Sequence, residues 1–188
     1  MTKKQLILVG NKPFSNLSLA ETIDGYDFVI RVNRMTNYGL SGKKTDGVFL
    51  GMYSDFIKKY DGGEHRDVFK EASNIFSVQT VKNNEKVLDY ITPEQRDGIE
   101  VVKHFYALQD VKVNSITSTV LMLHHLLNSH WKDEYEITVT GIDIDGRGDI
   151  MANGDEWKDN PHGKNGHAEE KWLKSLVEKG LIKYLRNE

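Results

Sequence analysis

Short apolar runs recur along the chain, and polar loops separate them. Runs of this length that are rich in valine, isoleucine and leucine predict strands. A run that stays apolar at successive positions is typical of a parallel strand that is covered on both faces. The predicted strands are residues 5–11, 26–34, 44–51, 75–81, 135–143 and 181–185.

Helical periodicity fills most of the intervals between these strands. Residues 115–131 carry the clearest signal, because apolar residues recur there at helical spacing. These residues are Val120, Leu123, Leu126 and Leu127. In residues 92–105, Thr92 is predicted to cap a helix whose first residue is Pro93. The other predicted helices are residues 15–23 with Ser15 or Asn16 as cap, 54–60, 68–74 and 167–180. Strands that alternate with helices favour an α/β fold with a mostly parallel sheet.

Composition narrows the class of protein. The chain has 188 residues, 38% hydrophobic and 28% charged, which favours one globular domain with a single core. A net charge of -3 argues against a nucleic-acid partner. The absence of cysteine excludes disulfides, cysteine nucleophiles and thiolate metal sites, and it suits a cytoplasmic location. The apolar run from Leu6 to Gly10 is too short for a signal peptide or a membrane span, so no integral membrane segment is predicted.

Small and amide residues stand where the predicted strands end. Gly10 and Asn11 end the first strand, Asn33 the second, and Gly141 and Asp143 the fifth. Ligands of open parallel sheets bind at the carboxyl ends of the strands, so these residues are candidates for a shared site. The asparagine amides suit the edge of a base or a ribose, although Gly and Asn also form ordinary turns.

Hydroxyl residues begin the long helix. Thr117 and Ser118, followed by Thr119, offer hydroxyls and free backbone N–H groups, which suit a phosphate or a carboxylate. Plain helix capping would use the same residues. The segment after Gly10 has the spacing of neither the dinucleotide-binding glycine motif nor the Walker loop.

Of the seven histidines, His162 lies in a loop rich in glycine and asparagine, residues 146–166, and His167 directly follows this loop. His167 stands at the start of the helix that follows this loop, where an imidazole can serve as a general base or cap the helix. His162 and His167 are weak as a zinc pair, because the sequence provides no clear third ligand.

An acidic pair, Asp143 and Asp145, indicates a different chemistry. Two carboxylates in the pattern Asp-Ile-Asp could hold Mg²⁺ or Mn²⁺ in a glycosyltransferase that uses a nucleotide-diphosphate sugar. Sharing one ion here requires that the strand end at Gly141 or Ile142.

Three motifs, in this order along the chain, resemble those of sialyltransferases. LILVGNKPFSN and DGYDFVIRVNR resemble the first motif, and residues 23–33 fit the IDxxDxVxRxN pattern of the animal family 29. ITSTVLMLHHLL and YEITVTGID resemble the second motif in the form of bacterial family 42. NPHGKNGHAEEKWLKSL resembles the last motif, a histidine just before a helix. Residues 52–113 carry little resemblance.

The resemblance implies a single Rossmann-like domain over residues 1–188. It implies an inverting transferase that moves sialic acid or a related sugar from a CMP-activated donor to a glycan acceptor, with neither a metal nor another cofactor. The setting it suggests is bacterial surface polysaccharide biosynthesis. By position, Asn11 and Asn33 would hold the cytidine nucleotide, and Gly10 would border it. Thr117 and Ser118 would face the donor's phosphate or carboxylate, Gly141 and Asp143 would edge the pocket, and His167 would be the general base.

The chain departs from the family 42 pattern at several positions. Thr119 stands in place of a glycine, Ser115 in place of an arginine, and Asp145 lies where tyrosines that assist the leaving phosphate are expected. These departures favour a second hypothesis, a non-catalytic nucleotide- or glycan-binding module of the same fold.

Overall fold

A computed structural model describes residues 2–12, 14, 18–33, 35, 37–51, 66–112, 116–142, 144 and 166–186. Within these ranges seven strands form one parallel sheet with helices on both faces, which confirms the predicted α/β fold. The strands are β1 Lys4–Val9, β2 Phe28–Val32, β3 Gly47–Leu50, β4 Asn74–Ser77, β5 Glu100–Val101, β6 Tyr135–Thr140 and β7 Lys183–Tyr184. Their order in the sheet is β5-β4-β3-β2-β1-β6-β7.

The helices of the described ranges vary from one turn to more than three. They are α1 Leu19–Asp24, α2 Arg66–Glu71, α3 Gln79–Lys82, α4 Pro93–Asp97, α5 His104–Val111, α6 Ser118–Leu127, α7 Trp131–Glu134 and α8 Gly166–Glu178, with a 3-10 helix at Glu85–Asp89. None of these helices combines the length and the apolar composition that crossing a lipid bilayer requires.

The apolar strands are buried on both faces of the sheet. In β1, Leu6 and Leu8 pack in a cluster with α6, and Ile7 packs on the opposite face with Ile23 of α1. All three β1 residues are 0% exposed. Successive side chains of a strand point to opposite faces, so an uninterrupted apolar run is what a sheet covered on both sides requires.

The predicted helix over residues 92–105 is correct only in its first half. The Thr92 hydroxyl accepts a hydrogen bond from the Gln95 N–H at 3.2 Å, and α4 begins at Pro93 as expected. The helix then ends at Asp97, and β5 follows. The N–H of Val102 donates to the Ser77 carbonyl of the neighbouring strand at 2.8 Å, so pairing with β4 defines this segment.

Other predicted boundaries also shift. The predicted strand 75–81 ends at Ser77, and residues 79–82 form α3 instead. The last predicted strand, 181–185, is confirmed as β7, and the N–H of Leu185 donates to the Val139 carbonyl at 3.0 Å. The predicted helix 54–60 and the predicted caps Ser15 and Asn16 lie outside the described residues.

A polar cluster fastens the edge strand β5 to the helices that cover it. Oε1 of Glu100 lies 2.7 Å from Nε2 of His125, and the indole N–H of Trp131 donates to the same carboxylate at 3.2 Å. Burial alone would raise the pKa of Glu100, but the hydrogen bonds from His125 and Trp131 outweigh it and hold the pKa below its usual value.

Replacing Glu100 with glutamine is expected to reduce the free energy of unfolding by about 1 kcal/mol at pH 7. A carboxyl group whose folded pKa is depressed stabilises the fold above its unfolded pKa, and this contribution is lost as the pH falls through the folded value. The difference between wild type and Glu100→Gln should therefore shrink on acidification below about pH 4. Urea denaturation at several pH values measures it, with the exposed Glu178→Gln as control. A difference that grows on acidification would contradict the assignment.

Candidate functional site

The order of the sheet reverses between β1 and β6. The chain moves outward from β1 to β5 and then returns to place β6 on the other side of β1. Val9 is paired with Thr140, so Gly10 and Gly141 leave the sheet side by side. Such a reversal opens a crevice at the carboxyl ends of the strands, where ligands of open α/β sheets bind.

The backbones of Gly10 and Gly141 approach each other closely at this crevice. A Cβ on Gly10 would lie 2.4 Å from the Gly141 carbonyl oxygen, and Gly141 itself has a φ of +65°. The N–H of Lys12 donates to that same oxygen at 2.9 Å. Both positions therefore require glycine, Gly10 for space and Gly141 also for its left-handed backbone.

Asn33 and the first residue of α6, Ser118, both lie next to Gly51. Asn33 Oδ1 accepts a hydrogen bond from the Gly51 N–H at 2.7 Å. A Cβ on Gly51 would lie 2.6 Å from Asn33 Oδ1 and 2.7 Å from Ser118 Oγ, so both oxygens border one small space. Gly51 was not among the predicted site residues, and its only sequence signal is that it ends a predicted strand.

Polar atoms of Asn33 and Ser118 are available at this point. Both residues are half-buried, and neither Asn33 Nδ2 nor Ser118 Oγ has a hydrogen-bond partner among the described residues. Half-buried polar groups usually have partners, either in the protein or in a ligand or water. The convergence of these two predicted residues supports a polar ligand at the crevice.

Two asparagines hold the loop that follows β1. Asn11 Nδ2 donates to the Val32 carbonyl at 3.0 Å, which ties the ends of β1 and β2 together. Asn37 is buried, and its amide donates to the carbonyls of Gly10 at 3.2 Å and Lys12 at 2.6 Å. Asn37 was not predicted, because nothing in its local pattern separates it from a loop asparagine.

Thr117 binds a carboxylate of the protein itself. Its N–H donates to Glu169 Oε1 at 2.7 Å, and its hydroxyl donates to Glu169 Oε2 at 2.9 Å. Glu169 belongs to the first turn of α8 and is 0% exposed. The two donors that the sequence offers to a ligand anion at Thr117 are thus both engaged within the chain.

The charged residues of the IDxxDxVxRxN segment build the support beneath the site. Arg31 is 1% exposed and donates to the Ser41 hydroxyl at 2.7 Å and the Ser41 carbonyl at 2.9 Å. Asp24 lies 4.0 Å from the guanidinium and accepts the backbone N–H of Lys44 at 2.9 Å. Burial lowers the pKa of Arg31 to about 10, so it remains charged at neutral pH. These contacts order the segment that contains Asn37.

The remaining predicted site residues lie at the carboxyl-terminal side of the chain. His167 is the second residue of α8, two positions before Glu169. Asp143 lies outside the described residues, as do Ser115, Asp145 and His162. In the part of the chain that the structure describes, no group of three or more histidine and acidic side chains is arranged to hold a metal ion.

The fold of this chain is similar to the folds of several solved structures. No protein-family model matches the chain, and no curated protein sequence is detectably similar to it. The sialyltransferase CstII from Campylobacter jejuni, in complex with cytidine-5'-monophosphate, superposes with a TM-score of 0.54 at 22% identity, over 97% of this chain and 79% of that chain. Its complex with the substrate analogue CMP-3FNeuAc gives 0.51 at 21% identity, over 97% and 80%.

A mammalian sialyltransferase in complex with Gal-beta-1-3GalNAc-ortho-nitrophenol is also similar. It superposes with a TM-score of 0.57 at 15% identity, and the match covers 97% of this chain and 69% of that chain. The bacterial and the mammalian structures therefore share one architecture with this protein. The chain has a sialyltransferase-like fold.

Proposed function

We propose that the protein is a glycosyltransferase that transfers sialic acid, or a related sugar, from a CMP-activated donor to a glycan acceptor. The observation that carries this proposal is the crevice between β1 and β6, where Gly10 and Gly141 nearly touch and Asn33 and Ser118 present available polar atoms. A crevice at this place in a sialyltransferase-like fold suits a nucleotide, and the similar CstII structures contain CMP or a CMP-sugar analogue.

Each predicted residue has a role in this proposal. Asn11 and Asn33 hold the cytidine nucleotide, while Gly10, Gly141 and Asp143 border it. Ser118, helped by the start of α6, faces the phosphate or the carboxylate of the donor. Thr117 contributes to the same end of the helix, although its N–H and hydroxyl already donate to Glu169.

The proposed reaction is a single displacement with inversion. The acceptor hydroxyl oxygen forms a bond to the anomeric carbon, on the face opposite the CMP group. The bond between this carbon and the phosphate oxygen breaks, and CMP leaves with the electron pair. His167 takes the proton of the attacking hydroxyl as general base, and the protein otherwise orients donor and acceptor. No metal ion takes part in this scheme.

A nucleotide screen by thermal unfolding tests the donor class. CMP at 100 times its Kd is expected to raise Tm by about 5–10 °C, because a ligand that binds only the folded state stabilises it by mass action. UMP and AMP should raise Tm less, since the proposed site is selective for cytidine. A protein that does not respond to CMP would overturn the proposal.

Assays of sugar transfer, with and without EDTA, separate the alternatives. A CMP response without sugar transfer to any glycan acceptor would instead support the binding module that the departures at Ser115, Thr119 and Asp145 favour. Transfer that is abolished by EDTA and restored by Mg²⁺ or Mn²⁺ would support the metal site at Asp143 and Asp145. Transfer that survives EDTA supports the proposed metal-independent reaction.

A further inference from the structure

A buried carboxylate joins the helix that carries His167 to the start of the helix that carries Ser118. Glu169 is 0% exposed, and each of its two side-chain oxygens accepts a hydrogen bond from Thr117. The two residues are 52 positions apart in the sequence, so the contact is a tertiary link between α8 and α6.

The neighbouring Glu170 shows what an ordinary glutamate of the same helix does. Its carboxylate lies 2.7 Å from the ammonium of Lys174, one turn further along α8. This pair links a helix to itself and contributes little to stability. Glu169, by contrast, reaches another helix and is completely enclosed.

The contact between Thr117 and Glu169 takes the place of a hydrogen bond that would stabilise the start of α6. Thr117 is the N-cap residue of α6, yet its side chain makes no capping hydrogen bond to that helix, and its hydroxyl donates to Glu169 instead. An N-cap threonine usually stabilises its own helix through such a hydrogen bond, so this local benefit is given up for a contact with α8.

Both ends of this contact adjoin groups of the proposed reaction. Glu169 is two residues, or about 3 Å of helix rise, from His167. Thr117 is the residue directly before Ser118, whose hydroxyl borders Asn33 across Gly51. We infer that Glu169 is a positioning residue, which holds the base-bearing turn of α8 at a set distance from the donor site. This inference rests on the proposed function.

Replacing Glu169 with alanine is expected to lower kcat for sugar transfer about 10- to 100-fold, because small displacements of a catalytic group are costly. The Kd for CMP should weaken by less than about 3-fold, since the nucleotide contacts are at other residues. Glu169→Gln should recover most of kcat, because its amide oxygen can accept the Thr117 N–H and its NH₂ group can donate to the hydroxyl. Glu170→Gln is the matched control and should keep wild-type kcat.

The backbone N–H of Thr117 provides a readout that does not depend on activity. Hydrogen exchange at this amide, followed by NMR, should be slow in wild type and in Glu170→Gln and faster in Glu169→Ala. If the alanine variant does not fold, Glu169→Asp replaces it. Aspartate keeps the charge but is one methylene shorter, so it should lose kcat as well.

The outcomes separate this inference from the proposed function. Absence of transfer by the wild type would overturn the proposed function. Wild-type transfer together with an unchanged kcat in Glu169→Ala would overturn only the positioning role. A parallel loss of kcat and CMP affinity, or a glutamine variant as poor as the alanine variant, would do the same.

Discussion

The His167→Ala variant should transfer sugar about 100- to 10,000-fold more slowly than wild type while it still binds CMP. The reason is that the acceptor hydroxyl is a weak nucleophile until a base removes its proton, whereas the nucleotide contacts proposed above use other residues. Wild-type transfer should decline as the pH falls and the imidazole takes up a proton. The variant should lose this part of the pH dependence. Initial rates of CMP release, measured with and without acceptor, provide the test.

His104→Ala is a suitable control for this experiment, because His104 is an exposed histidine at the start of another helix, α5. It should leave both the rate and its pH profile unchanged. If His167→Ala released CMP as quickly as wild type in the presence of acceptor, the assignment of the base would be wrong.

The Gly10→Ala variant is expected to lose about 1–3 kcal/mol of stability and most of its affinity for CMP. The added Cβ would lie 2.4 Å from the carbonyl oxygen of Gly141, which is backbone and has no rotamer to adopt. The ends of β1 and β6 must then move apart, and this is the edge of the crevice that the nucleotide is proposed to occupy. Urea denaturation and calorimetric titration with CMP measure the two effects.

Gly98→Ala is the matched control for the glycine experiment. Its added Cβ would meet only the Glu94 carbonyl oxygen at 3.4 Å and the Gln95 carbonyl oxygen at 3.7 Å, which are ordinary contacts. Gly98 is exposed at the end of α4, so the alanine should change stability by less than about 0.5 kcal/mol. Equal behaviour of the two variants would show that Gly10 and Gly141 do not pack as closely as described.

The contacts of Asp24 and Arg31 explain why charged residues stand in the segment that resembles the first sialyltransferase motif. The sequence predicts Asn33 at a binding edge and indicates no defined role for Asp24 and Arg31. In the structure Arg31 is a buried cation that binds Ser41, and Asp24 accepts backbone N–H groups of the same loop. That loop also contains Asn37, which holds the carbonyls of Gly10 and Lys12. A motif of this kind can therefore specify the shape of a site without contacting the ligand.

The local pattern of apolar and polar residues was sufficient to predict the α/β fold and the edge of the sheet where the candidate site lies. Apolar runs covered on both faces form parallel strands, and the carboxyl ends of parallel strands share one edge of the sheet. Gly10, Asn33 and Gly141 could be assigned to that edge for this reason, and the structure places all three there. Local pattern did not predict the strand at Glu100, because this segment mixes polar and apolar residues and its strand forms only through pairing with β4.

Which side chains contact one another at the site is visible only in the tertiary structure. Gly51 matters because Asn33 and Ser118 meet above it, and Glu169 matters because it reaches Thr117 across 52 positions of the sequence. Patterns of hydrophobicity and helical periodicity involve residues that are close together in the sequence, so they identify strands, helices and their ends. Which side chains meet at those ends depends on how the helices pack against the sheet, and this is a property of the whole fold.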